Sequence, residues 1–155
     1  MNNMIFAIDP GPVESGWIIT RDGIPFGGFG KDKNDLILQK MPLIRASNEK
    51  IPWVLAIERV SSMGMAVGEE VFETVFWSGR FYQAFIPSEV IRVSRMDVKM
   101  KICNNSRAKD ANIRAALIDR FGGVQSIKKG GLLYKIAGDV WSALGVAITA
   151  QDIIP

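Results

Sequence analysis

Five apolar residues, Met4 to Ile8, run without a break into Asp9-Pro10-Gly11, the pattern of a buried strand followed by a turn. Ser15 to Arg21 and Ile24 to Phe29 are further strand candidates, and Asp22-Gly23 between them is a hairpin signal. From Asn34 to Ala46 the positions Leu36, Leu38, Met41 and Ile44 take helical spacing, with Pro42 weakening the second half. Trp53 to Ile57 is a second buried strand, and it ends at Glu58. Gly68 to Phe85 predicts a helix with Val71, Phe72, Val75, Phe76 and Tyr82 spaced for one face. Val90 to Val93 is a short strand, after which Ser94 and Asp97 make a capping-box start for a basic helix through Met100. A longer helix from about Ser106 to Phe121 stops at Gly122-Gly123. Gln125 to Lys135 is a loop, and Ala137 to Ala150 is a helix of small apolar residues. This order predicts an α/β fold: a mixed five-stranded sheet, three antiparallel strands and then parallel ones, with helices on its faces.

Composition narrows the chemistry. The 155 residues suit one domain and are 48% hydrophobic, enough for a substantial core. Histidine is absent, which excludes Ser-His-Asp and Cys-His triads and imidazole-ligated zinc. The one cysteine, Cys103, excludes an intrachain disulfide framework and fits a reducing compartment. Met1 to Ile8 has no basic region and meets the Asp-Pro-Gly turn too early for a signal peptide. No apolar run approaches the ~20 residues of a membrane span. The expectation is a soluble protein whose catalysis, if any, uses carboxylates, lysine, hydroxyls or an oxygen-bound metal.

Charge is unevenly distributed. Arg95 to Lys135 holds ten basic and three acidic residues, net +7, whereas the remainder carries −4. A basic half beside an acidic one points to a polyanion, most simply nucleic acid, with a solvated helical surface as the alternative.

Asp9 and Glu58 each sit at the carboxyl end of an apolar strand. If those strands are parallel neighbours, about 4.8 Å apart, both acids emerge at one sheet edge, where open α/β sheets place ligands. Two such carboxylates repel unless a cation intervenes, and an all-oxygen ligand set favours Mg²⁺ or Mn²⁺. The alternative is that each acid merely caps a strand end in solvent. Asp139 opens the last helix, either as an N-terminal cap or as a third acid carried to the same edge by close packing of Ala143, Gly145, Ala147 and Ala150.

AIDPGPVESGW, LAIERV, RAKDANIR and GDVWSALGVAITA together resemble the successive motifs of RuvC-like Holliday junction resolvases, nearest to the short phage-encoded branch of this ribonuclease H-like group. The resemblance spans Ile5 to Ala150 and implies one nuclease domain over residues 1–155, with a ribonuclease H-like sheet covered on both faces. It implies Asp9, Glu58 and Asp139 as catalytic metal ligands holding two Mg²⁺ ions, or Mn²⁺ as substitute, about 4 Å apart across a scissile phosphate. Where the family commonly carries a second acid in its last helix, this chain has Ser142, and Asp110 is the available substitute ligand unless it is simply a solvated acid in its helix. Lys99 and Lys109 fall where family lysines approach the scissile phosphate, Lys109 as a catalytic group. Both would also be ordinary as surface lysines. Arg107, Arg114, Lys128 and Lys129 would grip phosphates along the arms.

The loop from Arg59 through Met65 follows Glu58 directly, and in relatives it reaches into the junction. Arg59 would contact DNA and Met63 or Met65 could act as a wedge, against the alternative of a methionine filling the core. Trp17, Trp53, Trp77 and Trp141 are expected in the core. Gly79-Arg80 resembles the family's dimer-forming helix, which implies a homodimer nicking opposed strands of branched DNA. The implied setting is the cytoplasm of a bacterial host cell, without membrane or small-molecule cofactor. The rival expectations are a nuclease of this fold acting on a flap or RNA-DNA hybrid, and a non-catalytic junction-binding protein.

Overall fold

In the computed structural model, which describes residues 2–47, 50–62, 64–86 and 88–155, the apolar runs become the centre of one sheet. β1 (Met4–Asp9), β2 (Glu14–Arg21) and β3 (Ile24–Lys33) form an antiparallel meander. β4 (Trp53–Glu58) pairs in parallel with β1, and β5 (Glu89–Val93) in parallel with β4, for a strand order β3-β2-β1-β4-β5. The two strands without polar alternation, β1 and β4, are neighbours in the middle, where both faces must be apolar.

Alternation along each strand divides the core in two. Ile5, Ala7, Ile18, Val54 and Ala56 face one layer, made by α3 (Arg95–Cys103), α4 (Asp110–Arg120) and α5 (Asp139–Ile153). Met4, Phe6, Ile8, Leu55 and Ile57 face the other, made by α1 (Asn34–Ala46) and α2 (Glu69–Phe85). α5 is apolar all round because it lies between the sheet and α3; a side chain at Gly145 would crowd Val98.

Several boundaries differ from expectation, each for a local reason. β3 continues past Phe29 to Lys33 because a bulge at Gly27 and Gly28 (φ 87° and 144°) re-registers this polar edge strand against β2. α3 runs on to Cys103, where Asn104 ends it in the left-handed region. α4 starts at Asp110 rather than Ser106, with the Asn112 side chain accepting from the Lys109 N–H at 2.9 Å. A short 3-10 helix, Gly123–Ile127, occupies part of the expected loop.

α2 presents a different face from the expected one. It docks through Thr74, Trp77, Phe81 and Phe85, while Phe72 (64% exposed), Val75, Phe76 (57%) and Tyr82 point outward. An apolar stripe at helical spacing does not reveal which of two apolar faces meets the sheet. Trp53 and Trp141 are buried as expected, whereas Trp17 and Trp77 are only partly so. No helix among the described residues is long and apolar enough to cross a membrane.

The capping box at Ser94 is formed in full: Ser94 Oγ accepts from the Asp97 N–H and Asp97 accepts from the Ser94 N–H at 2.8 Å. Those bonds hold the Asp97 carboxyl below its usual pKa. Ser94→Ala should cost about 1 kcal/mol, read as a lower melting temperature at neutral pH. Because the folded pKa of Asp97 is depressed, its contribution exists above the ordinary aspartate range and fades as pH falls through the folded value. The gap between Asp97→Ala and the wild type should therefore close on acidification.

Candidate active site

The alternation that sorts the core also sets the direction of the acids. Asp9 continues the Ile5, Ala7 series and Glu58 the Val54, Ala56 series, so both carboxylates rise on the α5 face at the carboxyl ends of adjacent parallel strands. Strand pairing extends this row across the sheet: Lys31 lies opposite Gly16, Gly16 opposite Asp9, Asp9 is level with Glu58, and Glu58 lies opposite Val93.

Asp139 joins the row from above. The start of α5 rests on Gly16 so closely that an added Cβ there would lie 2.6 Å from the Asp139 carbonyl oxygen. Only glycine lets the helix amino end descend onto the strand beside Asp9. Asp139 is not a side-chain cap of its helix; its carboxylate instead pairs with Lys31, Nζ to Oδ2 at 2.8 Å. The turn after Asp9 is secured by a buried polar network. The Ser15 hydroxyl donates to Asn34 Oδ1 at 2.6 Å and accepts from the Gly11 N–H, while Asn34 Nδ2 donates to the Gly11 carbonyl at 2.9 Å.

Electrostatics mark Asp9 as the focus. Burial, then the charge of Glu58 and a hydrogen bond shared with it, then the charge of Asp139, push the Asp9 carboxyl up to about 8, with Arg95 opposing. Asp9 and Glu58 thus share a bond that requires a proton between them, whereas Asp139 is engaged by Lys31. Among the described residues no group of three or more acids is gathered closely enough to hold a metal ion as they stand. The donor set nevertheless suits a hard divalent cation: oxygen ligands only, in carboxylates whose mutual repulsion a proton now relieves.

Two clefts meet at this row. In one, of about 510 Å³, Asp9 and Glu58 face Arg59, Arg95 and Lys99. The other brings Asp139 and Ser142 together with Arg95, Asp110 and Arg114. Arg95, which sequence reasoning counted only as charge, borders both. It forms an ion pair with Asp110, whose side chain is 87% exposed, and Asp110 is not among the groups that perturb Asp9. Arg114 stacks over Trp141 at 4.9 Å from the ring centroid. Lys109 and Arg107 are exposed at the amino end of α4 and in the turn before it, and Lys128 and Lys129 are exposed after the 3-10 helix. Met63 lies outside the described residues; Met65 is 71% exposed and fills no core.

The sequence does not single out Lys31 or the Ser15–Asn34 pair. The signal for Asn34 was weak, a polar residue before an amphipathic stretch. Lys31 required the bulged β2–β3 register, which the Gly27-Gly28 pair alone hints at.

A carboxyl whose folded pKa is raised makes a sign-specific prediction. Below about pH 3.8 Asp9 holds its proton in both folded and unfolded chains, so it costs nothing. Between that value and about 8 the unfolded chain ionises while the folded one does not, so stability falls as pH rises. Metal-free Asp9→Asn should therefore melt above the wild type, by a margin that grows from pH 4 to pH 8 and then levels off; thermal melts across pH check this. Gly16→Ala should lose roughly 1–3 kcal/mol by forcing α5 off the sheet, measured by denaturant titration.

No family model and no curated relative matches the sequence. Solved structures do. Thermus thermophilus RuvC superposes with a TM-score of 0.63 at 15% identity, covering 97% of this chain and 94% of that one. Thermus thermophilus RuvC in complex with a Holliday junction substrate gives 0.67 at 14% identity, with the same coverage. In its mixed five-stranded sheet, three strands antiparallel and the rest parallel, the chain carries the ribonuclease H-like fold of RuvC.

Proposed function

We propose that the protein is a metal-dependent endonuclease that resolves four-way or otherwise branched DNA. The observation that carries this reading is Asp9 beside Glu58 on the α5 face, with Asp139 seated over the neighbouring Gly16. The likeness in fold to a RuvC bound to a Holliday junction supports the choice of substrate.

Asp9, Glu58 and Asp139 would hold Mg²⁺, or Mn²⁺ in its place. When bound, such ions lower the pKa of water and neutralise charge building on the phosphate. Asp9 is prepared for this role because burial and its neighbours make its charge costly until a cation arrives. Asp110 is the weaker ligand candidate, because its side chain is 87% exposed and, unlike Asp139, it is not among the groups that act on Asp9. Arg95 and Lys99 edge the cleft and would stabilise the phosphate as its charge develops, in a site without histidine to move protons.

Lys109 stands at the amino end of α4, turned to solvent, so in this reading it acts as a phosphate contact rather than a proton carrier. Arg59, Arg107, Arg114, Lys128 and Lys129 would add a salt-sensitive, sequence-neutral grip on the arms. The outward apolar face of α2, with Phe72, Val75 and Phe76, fits a second copy of this chain, and a homodimer would present two sites to opposed strands.

Matched synthetic junction, duplex, flap and RNA-DNA hybrid substrates test the reading. Junctions should be cut in Mg²⁺ or Mn²⁺ and duplex spared, and Asp9→Asn should lose at least about a hundredfold in rate while still binding junctions. A wild type that binds junctions and never cuts them with either metal would make it a binding protein, the outcome that Ser142 in the last helix keeps open. Phe76→Glu should shift the sedimentation coefficient from dimer to monomer.

A further inference from the structure

The acids at the sheet edge have cations at both ends of their row. Beyond Glu58 stand Arg59, Arg95 and Lys99. At the other end, two strands from Asp9, stands Lys31. With neighbouring strands about 4.8 Å apart, Lys31 begins roughly 10 Å from Asp9 along the direction in which a chain crossing the strands would run. Its position is not incidental, because it shares the α5 face with Gly16, Asp9 and Glu58, and the bulge at Gly27-Gly28 sets that register.

We propose that Lys31 is a phosphate-contacting residue of the reaction site, gripping the nucleic-acid strand on the β3 side of the acids while Lys99 and Arg95 grip it on the β5 side. The inference rests on the nuclease reading above and adds to it the path of the strand, across the sheet edge from β3 to β5. An ammonium has three N–H donors, and the contact with Asp139 uses one. The Lys31 side chain is 51% exposed, so its remaining donors are open to solvent. Lys31 is ion-paired with Asp139, so a phosphate approaching that acid meets a positive charge beside it.

A lysine on the opposite face of the sheet provides a control. Lys40 reaches Asp32 at 3.4 Å and lies over the Trp17 ring, on the α1 side of the sheet. Removing its charge alters the net charge equally but on the opposite face.

The test is junction binding by fluorescence anisotropy, with metal withheld, over about 50–200 mM salt. Lys31→Met should weaken binding several-fold and reduce the slope of log K against log salt by about 1, the signature of one lost phosphate contact. Lys31→Arg should restore the slope, and Lys40→Met should keep that of the wild type. Circular dichroism melts of each variant show that it is folded. If Lys31→Met binds with the wild-type slope, Lys31 is only a partner of Asp139 and the inference is overturned. Should the wild type itself fail to prefer junction over duplex, the junction-resolving reading falls, separately from the role of Lys31.

Discussion

The seating of the α5 amino end on Gly16 is the contact on which the arrangement of the site depends. Asp9 and Glu58 come together through strand pairing, but Asp139 belongs to a different layer and is 81 residues from Glu58 along the chain. It reaches the row only because two backbones meet without a Cβ between them. Small residues along α5 serve the same end, since Ala143, Gly145, Ala147 and Ala150 let the helix lie close to the sheet and α3 together. Interiors pack too densely to absorb an extra atom at such a crossing.

This geometry stores unfavourable electrostatics. A carboxyl raised to about 8 is one that folding has placed against its own preference, beneath a helix and beside two like charges. A hydrogen bond with Glu58 and the nearby Arg95 relieve part of the cost. Arg95 is ion-paired with Asp110 and Lys31 with Asp139, so these two cations offset the charge of the Asp9–Glu58 pair only in part. Perturbed groups that converge on a cleft are how proteins hold reactive charge ready, and the sheet around them is apolar enough to support the strain.

The layer on the other side of the sheet has a different task. α1 anchors the turn after Asp9 through Asn34, its first residue, so a helix on one face steadies an acid that points to the other. α2 has apolar residues on two faces and spends only one on the sheet. The second, with Phe72, Val75 and Phe76, stays at the surface.

Unbroken apolar runs in the sequence determined the central strands and put Asp9 and Glu58 at their carboxyl ends, while the parallel pairing that brings both acids to one edge came from the sheet. Local chemistry determined the Ser94–Asp97 box, because capping involves residues three apart and needs no distant partner. Tertiary structure alone decided the rest. Which face of α2 is buried, the extent of β3, the ion pairs Lys31–Asp139 and Arg95–Asp110, and the descent of Asp139 onto Gly16 all depend on register and layer contact between segments far apart in the chain. Such contacts are set by shape and packing after the elements form, and no periodicity within one segment encodes where its neighbour will stop.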